Sequence, residues 1–82
     1  MYYAYILYSQ QIDKYYVGST NNLKKRLLDH NRGKNKYTKK AGDWQLKFFE
    51  VFETRSQAYT QEQKIKKQKS RKYIESLISS AG

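Results

Sequence analysis

Three runs of apolar and aromatic residues along the chain have the length of β-strands. Residues 2–8 show no polar alternation, which predicts a central strand that is covered on both faces. Residues 15–19 predict a second strand, and the polar segment 9–14 predicts the turn that joins these two strands. The third run, over 44–53, predicts the last strand of the sheet.

A hairpin of the first two strands would bring two tyrosines together. If the turn is centred between Gln10 and Gln11, Tyr5 lies directly opposite Tyr16. Directly opposed side chains share one face of the sheet, with Cβ atoms about 5 Å apart. We therefore expect the two phenol rings to be neighbours.

A helix is predicted after the second strand. Either Asn21 or Asn22 is suited to cap its start, and the helix runs to about Asn31. Gly33 follows at the position where a left-handed C-cap is common.

Two further helices are predicted after the third strand. Thr54 and Gln57 have the spacing of a capping box, which opens a helix over about 55–68. Ser70 is suited to cap a last helix, in which apolar residues recur at helical spacing. The order strand, strand, helix, strand, helix, helix predicts an α/β (α+β) fold, with a small three-stranded antiparallel sheet and three helices, in a single domain over residues 1–82.

The charge of the chain changes this picture from a generic fold to a candidate binding protein. Lys and Arg number 17 against 7 Asp and Glu, which gives a formal net charge of +10. Such a surplus favours a polyanionic partner, most often nucleic acid, although solubility alone is the simpler explanation. Clustering favours nucleic acid, because crowded cations repel one another until phosphates neutralise them. The predicted nucleic-acid-binding residues are Arg32, Lys34, Lys36, Lys39, Lys40, Lys66 and Lys69.

Several classes of protein are excluded or disfavoured by composition. The chain has no cysteine, so a disulfide framework and a thiolate metal site are both impossible. No apolar run approaches the roughly 20 residues that a membrane span needs, and no signal-peptide pattern is present. We therefore expect a soluble cytoplasmic protein without a membrane partner.

Three polar side chains are expected on the apolar side of predicted helices. Arg26 and His30 are four residues apart and share the side of their helix that faces the core. Glu62 falls within the apolar stripe of the helix over 55–68, where an unpaired carboxylate costs several kcal/mol. A salt bridge to Lys69 or Arg26 is one explanation for Glu62. The other is a Mg²⁺ site, which needs only one or two carboxylates beside water and phosphate oxygens.

These pieces together resemble the GIY-YIG nuclease superfamily, in its small stand-alone bacterial branch, and are also similar to the incision domain of the excinuclease that cuts 3′ of a lesion. The resemblance extends over nearly the whole chain. It rests on Tyr3-Ala4-Tyr5, Tyr16-Val17-Gly18, the Arg26…His30 helix, Asn31-Arg32-Gly33, Lys36-Tyr37-Thr38 and Ser56-Gln57-Ala58…Glu62…Ile65-Lys66.

The resemblance implies hydrolysis of DNA phosphodiester bonds with one divalent metal ion, Mg²⁺ or Mn²⁺. Glu62 would hold the metal on the scissile phosphate, and Arg26 would bind that phosphate. Tyr5 would be the general base for the attacking water, with Tyr16 lining the site or taking that role instead. His30 would position a tyrosine or relay a proton, and with a free pKa of about 6.5 it is the rival base.

Three departures from the family pattern define the alternative. Tyr3 replaces the glycine of the first motif, no asparagine occurs beyond Asn35, and a separate recognition domain is missing. Cleavage would then be weak, structure-directed in DNA repair or recombination, or dependent on a protein partner that supplies specificity. The alternative is a catalytically weak nucleic-acid-binding module on the same scaffold, and a protein–protein adaptor is a more distant one.

Overall fold

The computed structural model describes residues 1–80 and contains six helices and strands in the predicted order. This confirms the expected fold class, a three-stranded antiparallel sheet with three helices. The elements are β1 (Tyr2–Ser9), β2 (Lys14–Thr20), α1 (Leu23–Asn31), β3 (Gln45–Phe52), α2 (Arg55–Lys67) and α3 (Arg71–Ser80).

The sheet has the strand order β2-β1-β3, with both neighbours antiparallel to β1. The central strand carries four consecutive buried residues, from Ala4 to Leu7. A strand covered on both faces has no polar side to alternate with, which is why the sequence shows an unbroken apolar run there. The prediction of a central β1 is confirmed, and β2 is left as an edge strand.

The expected register of the β1–β2 hairpin is wrong by two residues. Tyr5 lies opposite Gly18, and Tyr16 lies opposite Leu7. The connection holds four residues between Ser9 and Lys14, and Asp13 has a left-handed φ of 53°, so the turn is centred one residue later than expected. A shift of two residues keeps each side chain on its face. The rings of Tyr5 and Tyr16 therefore still meet, with centroids 6.3 Å apart.

Two hydrophobic clusters form, one on each face of the sheet. On one face Tyr5 and Leu7 pack with Trp44, and α1 covers them with Leu23 and Leu27. On the other face the cluster is built around buried residues of the strands and α2, against which α3 packs its apolar side. Its buried members are Ile6, Val17, Phe48 and Ile65. The helices thus lie on both sides of the sheet and leave the outer edge of β2 between them.

Side-chain caps fix the helix ends at the predicted positions. Asn22, rather than Asn21, caps α1, and Gly33 lies just beyond its C-cap with φ of 77°. Thr54 and Gln57 form the predicted capping box of α2, and Ser70 Oγ accepts the backbone N–H of the third residue of α3 at 3.1 Å. Within residues 1–80, no helix combines the length and the apolar composition needed to cross a membrane.

Candidate active site at the edge of strand β2

The predicted site residues meet around the outer edge of β2. Tyr5, Tyr16 and His30 approach from the face covered by α1. Glu62 approaches from the face covered by α2, through Ser19. An edge strand has no neighbour on its outer side, so groups from both faces of the sheet reach one another there.

Tyr5 and His30 form a buried pair. The Tyr5 hydroxyl and His30 Nε2 share a hydrogen bond of 2.9 Å, and the two residues are 2% and 0% exposed. Burial raises the pKa of Tyr5, with the nearby Tyr16 acting in the same direction. Burial also lowers the pKa of His30 to about 4, and the positive charge of Arg26 adds to this effect. At neutral pH the pair is therefore a neutral phenol and a neutral imidazole.

The loop between α1 and β3 closes over the second nitrogen of His30. His30 Nδ1 shares a hydrogen bond of 2.7 Å with the hydroxyl of buried Thr38. Trp44 Nε1 donates to the carbonyl of Thr38 at 2.8 Å. The Asn31 side chain anchors Trp44 in turn, accepting from its backbone N–H at 2.7 Å and donating to its carbonyl at 3.0 Å. A neutral imidazole donates through one nitrogen and accepts through the other, so both of its polar atoms are satisfied.

Tyr16 is the more accessible of the two predicted catalytic tyrosines. It is partly exposed, and its ring lies 4.8 Å from that of His30. Its hydroxyl accepts a long hydrogen bond of 3.5 Å from Asn35 Nδ2. The Lys66 ammonium lies 6.0 Å from the Tyr16 ring centroid, within the range of a cation–π contact.

Glu62 is buried, as its place in the apolar stripe predicts, and is 8% exposed. Its Oε1 accepts from the Ser19 hydroxyl at 2.7 Å, and its Oε2 accepts from Lys66 Nζ at 2.5 Å. The expectation that Lys69 or Arg26 is the ion-pair partner of Glu62 is wrong. Lys66 takes that place because it lies one helical turn after Glu62 on the same face of α2.

Gly18 gives Tyr5 the space it occupies. A Cβ atom at Gly18 would stand 2.6 Å from the Tyr5 hydroxyl oxygen and 2.7 Å from Cζ. Real Cβ atoms essentially never stand closer than 3.0 Å to such an atom, so only glycine allows the phenol to lie across β2. The glycine therefore sets the position of the Tyr5 hydroxyl against His30.

Arg26 is exposed, although it shares the inward side of α1 with His30. Its charge lowers the pKa of both Tyr5 and His30, which places the guanidinium near this pair. No carboxylate among residues 1–80 pairs with it. An exposed guanidinium near the Tyr5–His30 pair, without an acidic partner within residues 1–80, is available to an anion.

Within residues 1–80, Glu62 is the only carboxylate of the site, so the fit of the site to a metal ion depends on one protein ligand. No group of three or more His, Asp or Glu residues occurs within residues 1–80. A caged site for zinc or calcium, built from protein ligands, therefore has no counterpart in this part of the chain. Mg²⁺ is commonly bound through one or two carboxylates, with water and phosphate oxygens completing its shell, and Glu62 fits that donor set.

A large groove runs along the β2 edge, and of the five predicted catalytic residues Tyr16 alone lines it. Its volume is about 740 Å³, and its walls include Tyr16, Trp44 and the exposed Tyr37. Three of the predicted nucleic-acid-binding residues line it, namely Lys40, Lys66 and Lys69. The other four lie outside the groove, and Lys34 pairs with Asp29 at 3.7 Å. Those outside are Arg32, Lys34, Lys36 and Lys39.

The comparison with known proteins agrees with this arrangement. The GIY-YIG catalytic domain family matches residues 1–74, most of the chain. The chain belongs to the GIY-YIG family. Its relatives include the UPF0213 protein CPE1444 of Clostridium perfringens (strain 13 / Type A), 44% identical over 68 residues that cover 82% of this chain and 72% of that protein. Another is the UPF0213 protein SpyM3_1077 of Streptococcus pyogenes serotype M3, 41% identical over 70 residues that cover 83% and 76%. No solved structure gives a significant match.

Membership in this nuclease family confirms the resemblance on which the sequence interpretation depends and supports endonuclease activity. In this GIY-YIG chain, two close contacts of the site were missed by sequence reasoning. Ser19 directly follows the Tyr16-Val17-Gly18 motif, but nothing local indicates that its hydroxyl meets Glu62. Thr38 ends the loop motif Lys36-Tyr37-Thr38, and its contact with His30 depends on the path of the loop.

Proposed function

We propose that this protein is a metal-dependent endonuclease that hydrolyses phosphodiester bonds in DNA. The observation that carries the proposal is the position of Lys66. Its ammonium contacts Glu62 Oε2 at 2.5 Å and lies 6.0 Å from the Tyr16 ring centroid. One side chain therefore spans the distance between the buried acid and the accessible phenol, at the edge of a basic groove.

The proposed metal ligand is Glu62. Its carboxylate would hold Mg²⁺ or Mn²⁺ together with water and oxygens of the substrate phosphate. When bound, such an ion neutralises a phosphoryl oxygen and the charge that develops during hydrolysis. The Ser19 hydroxyl, which donates to Oε1 at 2.7 Å, fixes the orientation of the carboxylate.

Tyr16 is the better of the two tyrosines for contact with the attacking water. Tyr5 is 2% exposed and burial raises its pKa, so at neutral pH it remains a protonated phenol that is shielded from the attacking water. Tyr16 is partly exposed and lines the groove. We assign to its oxygen the orientation of the attacking water, whose proton would leave to the solvent of the groove.

His30 and Tyr5 are then positioning residues. The neutral, buried His30 contacts the Tyr16 ring and holds the Tyr5 hydroxyl, while Thr38 fixes its other nitrogen. A histidine with a pKa of about 4 carries no positive charge at neutral pH, so it has no extra proton to give. Its role is therefore the placement of the two phenols.

Arg26 is proposed to bind the scissile phosphate. A guanidinium offers two parallel N–H donors to a phosphate and adds positive charge where negative charge develops. Its exposure and its lack of an acidic partner within residues 1–80 support this assignment. The lysines of the groove, Lys40, Lys66 and Lys69, would follow the strand on either side of the cut.

The test is a nicking assay on supercoiled plasmid with Mg²⁺ or Mn²⁺. We expect nicking by the wild type, a loss of at least about a hundredfold in Glu62→Gln, and no loss in Glu53→Gln. Glu53 is a matched control, because it is an exposed acid between β3 and α2. Branched DNA, single-stranded DNA and RNA of equal length complete the panel. Absence of cleavage on every substrate, or equal cleavage by Glu62→Gln, would contradict the proposal.

One observation favours the second candidate, a nucleic-acid-binding module with little hydrolytic activity. Both oxygens of Glu62 already accept hydrogen bonds from Ser19 and Lys66. If this protein is such a binding module, its affinity for nucleic acid falls steeply with salt and does not change when metal is removed. Loss of Lys40 then lowers the affinity more than loss of Glu62 does. Binding assays with and without a chelator distinguish the two candidates.

The narrower expectations from the sequence stay predictions. These are a structure-directed role in DNA repair or recombination, a protein partner that supplies specificity, and a location in the cytoplasm. The branched substrates of the nicking assay test the first directly. Preference for a branched over a linear substrate of the same length is the outcome that supports it.

A further inference from the structure

A second cavity lies at the far end of β2, between the starts of α1 and α2. It has a volume of about 90 Å³, close to the space of three water molecules. Two arginines line it, Arg26 from α1 and Arg55 from the first turn of α2. The remaining walls are Tyr2, Ser19, Thr20, Asn21 and Ala58.

The charge in this cavity is uncompensated within residues 1–80. Neither Arg26 nor Arg55 forms an ion pair with a carboxylate there. Two guanidinium groups beside one small space repel each other, and an anion between them would reverse the sign of that interaction. The Asn21 amide and the Tyr2 hydroxyl on the cavity wall add neutral hydrogen-bond donors, whereas the hydroxyls of Ser19 and Thr20 already donate to Glu62 and to the carbonyl of Asn22.

The Arg55 guanidinium is held in place by an aromatic ring. Its Cζ lies 5.5 Å from the centroid of Tyr2, in a cation–π contact. A stacked guanidinium keeps its N–H edge free while losing rotational freedom, so it is prepared for a bidentate contact. Arg55 also lies at the N-terminal end of α2, where the helix dipole favours an anion.

We propose that this cavity binds a second phosphate group of the substrate, held by Arg55, while Arg26, which also lines the cavity, contacts both this phosphate and the scissile one. The inference rests on the proposed function for the identity of the ligand. Arg55 and Glu62 lie seven residues apart on α2, which corresponds to about 10 Å along the helix. Phosphates on one strand follow each other by about 3.4 Å of rise. The second phosphate therefore lies within about three positions of the one at Glu62, or it is the terminal phosphate of a short strand.

The experiment measures binding of single-stranded (dT)6 to the full chain without added metal. The signals of the two arginine side chains are followed by NMR, and the affinity is measured over a range of salt concentrations. We expect both side-chain signals to shift. Arg55→Ala is expected to weaken binding about tenfold and to reduce the salt slope by about 0.7, the value for one phosphate contact on a single strand.

Controls separate the subsite from general charge and from folding. Lys72→Ala removes an exposed cation on α3, away from the cavity, and should bind like the wild type. Arg55→Lys keeps the charge but loses the fork, so its affinity should fall between those of the wild type and Arg55→Ala. Each variant is first checked for an unchanged urea midpoint. If Arg55→Ala binds (dT)6 as tightly as Lys72→Ala does, the proposal is overturned.

The source of the phosphate is resolved with modified strands. One internal linkage at a time is replaced by a neutral methylphosphonate. The difference in affinity between the wild type and Arg55→Ala should disappear for one position of the replacement and persist for the others. If only a 5′-phosphorylated strand distinguishes these proteins, the ligand is a terminal phosphate. Because no cleavage is measured, a failed nicking assay leaves this result intact, and a failed subsite leaves the nicking result intact.

Discussion

Replacement of Gly18 by alanine tests how closely strand β2 and the Tyr5 ring are fitted. The new Cβ would stand 2.6 Å from the Tyr5 hydroxyl oxygen, whereas ordinary contacts begin at about 3.4 Å. The ring must therefore withdraw by about 0.8 Å, in a residue that is 2% exposed and bonded to His30. Overpacking of this kind costs about 1–3 kcal/mol.

Two further effects change this estimate for Gly18→Ala. Loss of the Tyr5–His30 hydrogen bond adds about 1 kcal/mol of destabilisation. Alanine is favoured over glycine within a strand by about 0.5–1 kcal/mol, which acts in the opposite direction. The net loss in the free energy of unfolding is thus about 1–3 kcal/mol, which lowers Tm by about 4–8 °C for each kcal/mol in a chain of this size.

Urea unfolding followed by circular dichroism measures this loss, and Gly42→Ala is the matched control. A Cβ at Gly42 meets only the Asn31 carbonyl oxygen at 3.7 Å, so its effect should stay within about 0.5 kcal/mol. In a Tyr5→Leu background the cost of Gly18→Ala should shrink, because the ring that it clashes with is gone. Equal urea midpoints for the two alanine variants would refute the reasoning.

Three further outcomes follow from the contacts of the site. Burial lowers the pKa of His30 to about 4, so as the pH falls the unfolded state binds a proton on His30 before the folded state does. The free energy of unfolding should therefore drop by up to about 3 kcal/mol between about pH 6.5 and 4. His30→Gln should reduce that drop, which urea titrations in acid measure. Thr38→Val leaves a nitrogen of His30 unsatisfied and should cost about 1–3 kcal/mol in thermal unfolding, whereas Thr38→Ser should cost less. Lys40→Ala should reduce the salt slope of DNA binding by about one, and Lys47→Ala on β3 should leave it unchanged. Equal slopes for the two variants would show that Lys40 does not contact DNA.

The ion-pair partner of Glu62 follows from a local rule of helix geometry. Lys66 lies four residues after Glu62, the spacing at which helical side chains are neighbours. Lys69 lies nearly two turns away and has a left-handed φ of 48°, beyond the end of α2. The burial of Glu62, by contrast, followed from the periodicity of the helix alone.

The hairpin register could not be read from the residues of β1. Because Ala4 to Leu7 are buried on both faces, the strand has no polar and apolar alternation to fix its pairing. The turn length decides the register, and it depends on Asp13. Its side chain accepts from Tyr8 at 2.6 Å and from Arg71 at 2.5 Å, the second contact coming from 58 residues further along the chain.

The sequence by itself determined the order of the elements, the capped helix ends, the central strand and the inward face of Glu62, because each depends on contacts within a few residues. Tertiary structure alone decided that Tyr16, His30 and Glu62 meet around the edge of β2, since they approach from opposite faces of the sheet. It also decided that His30 is neutral. Complete burial requires the loop to place Thr38 over the ring, and no local pattern fixes the path of that loop.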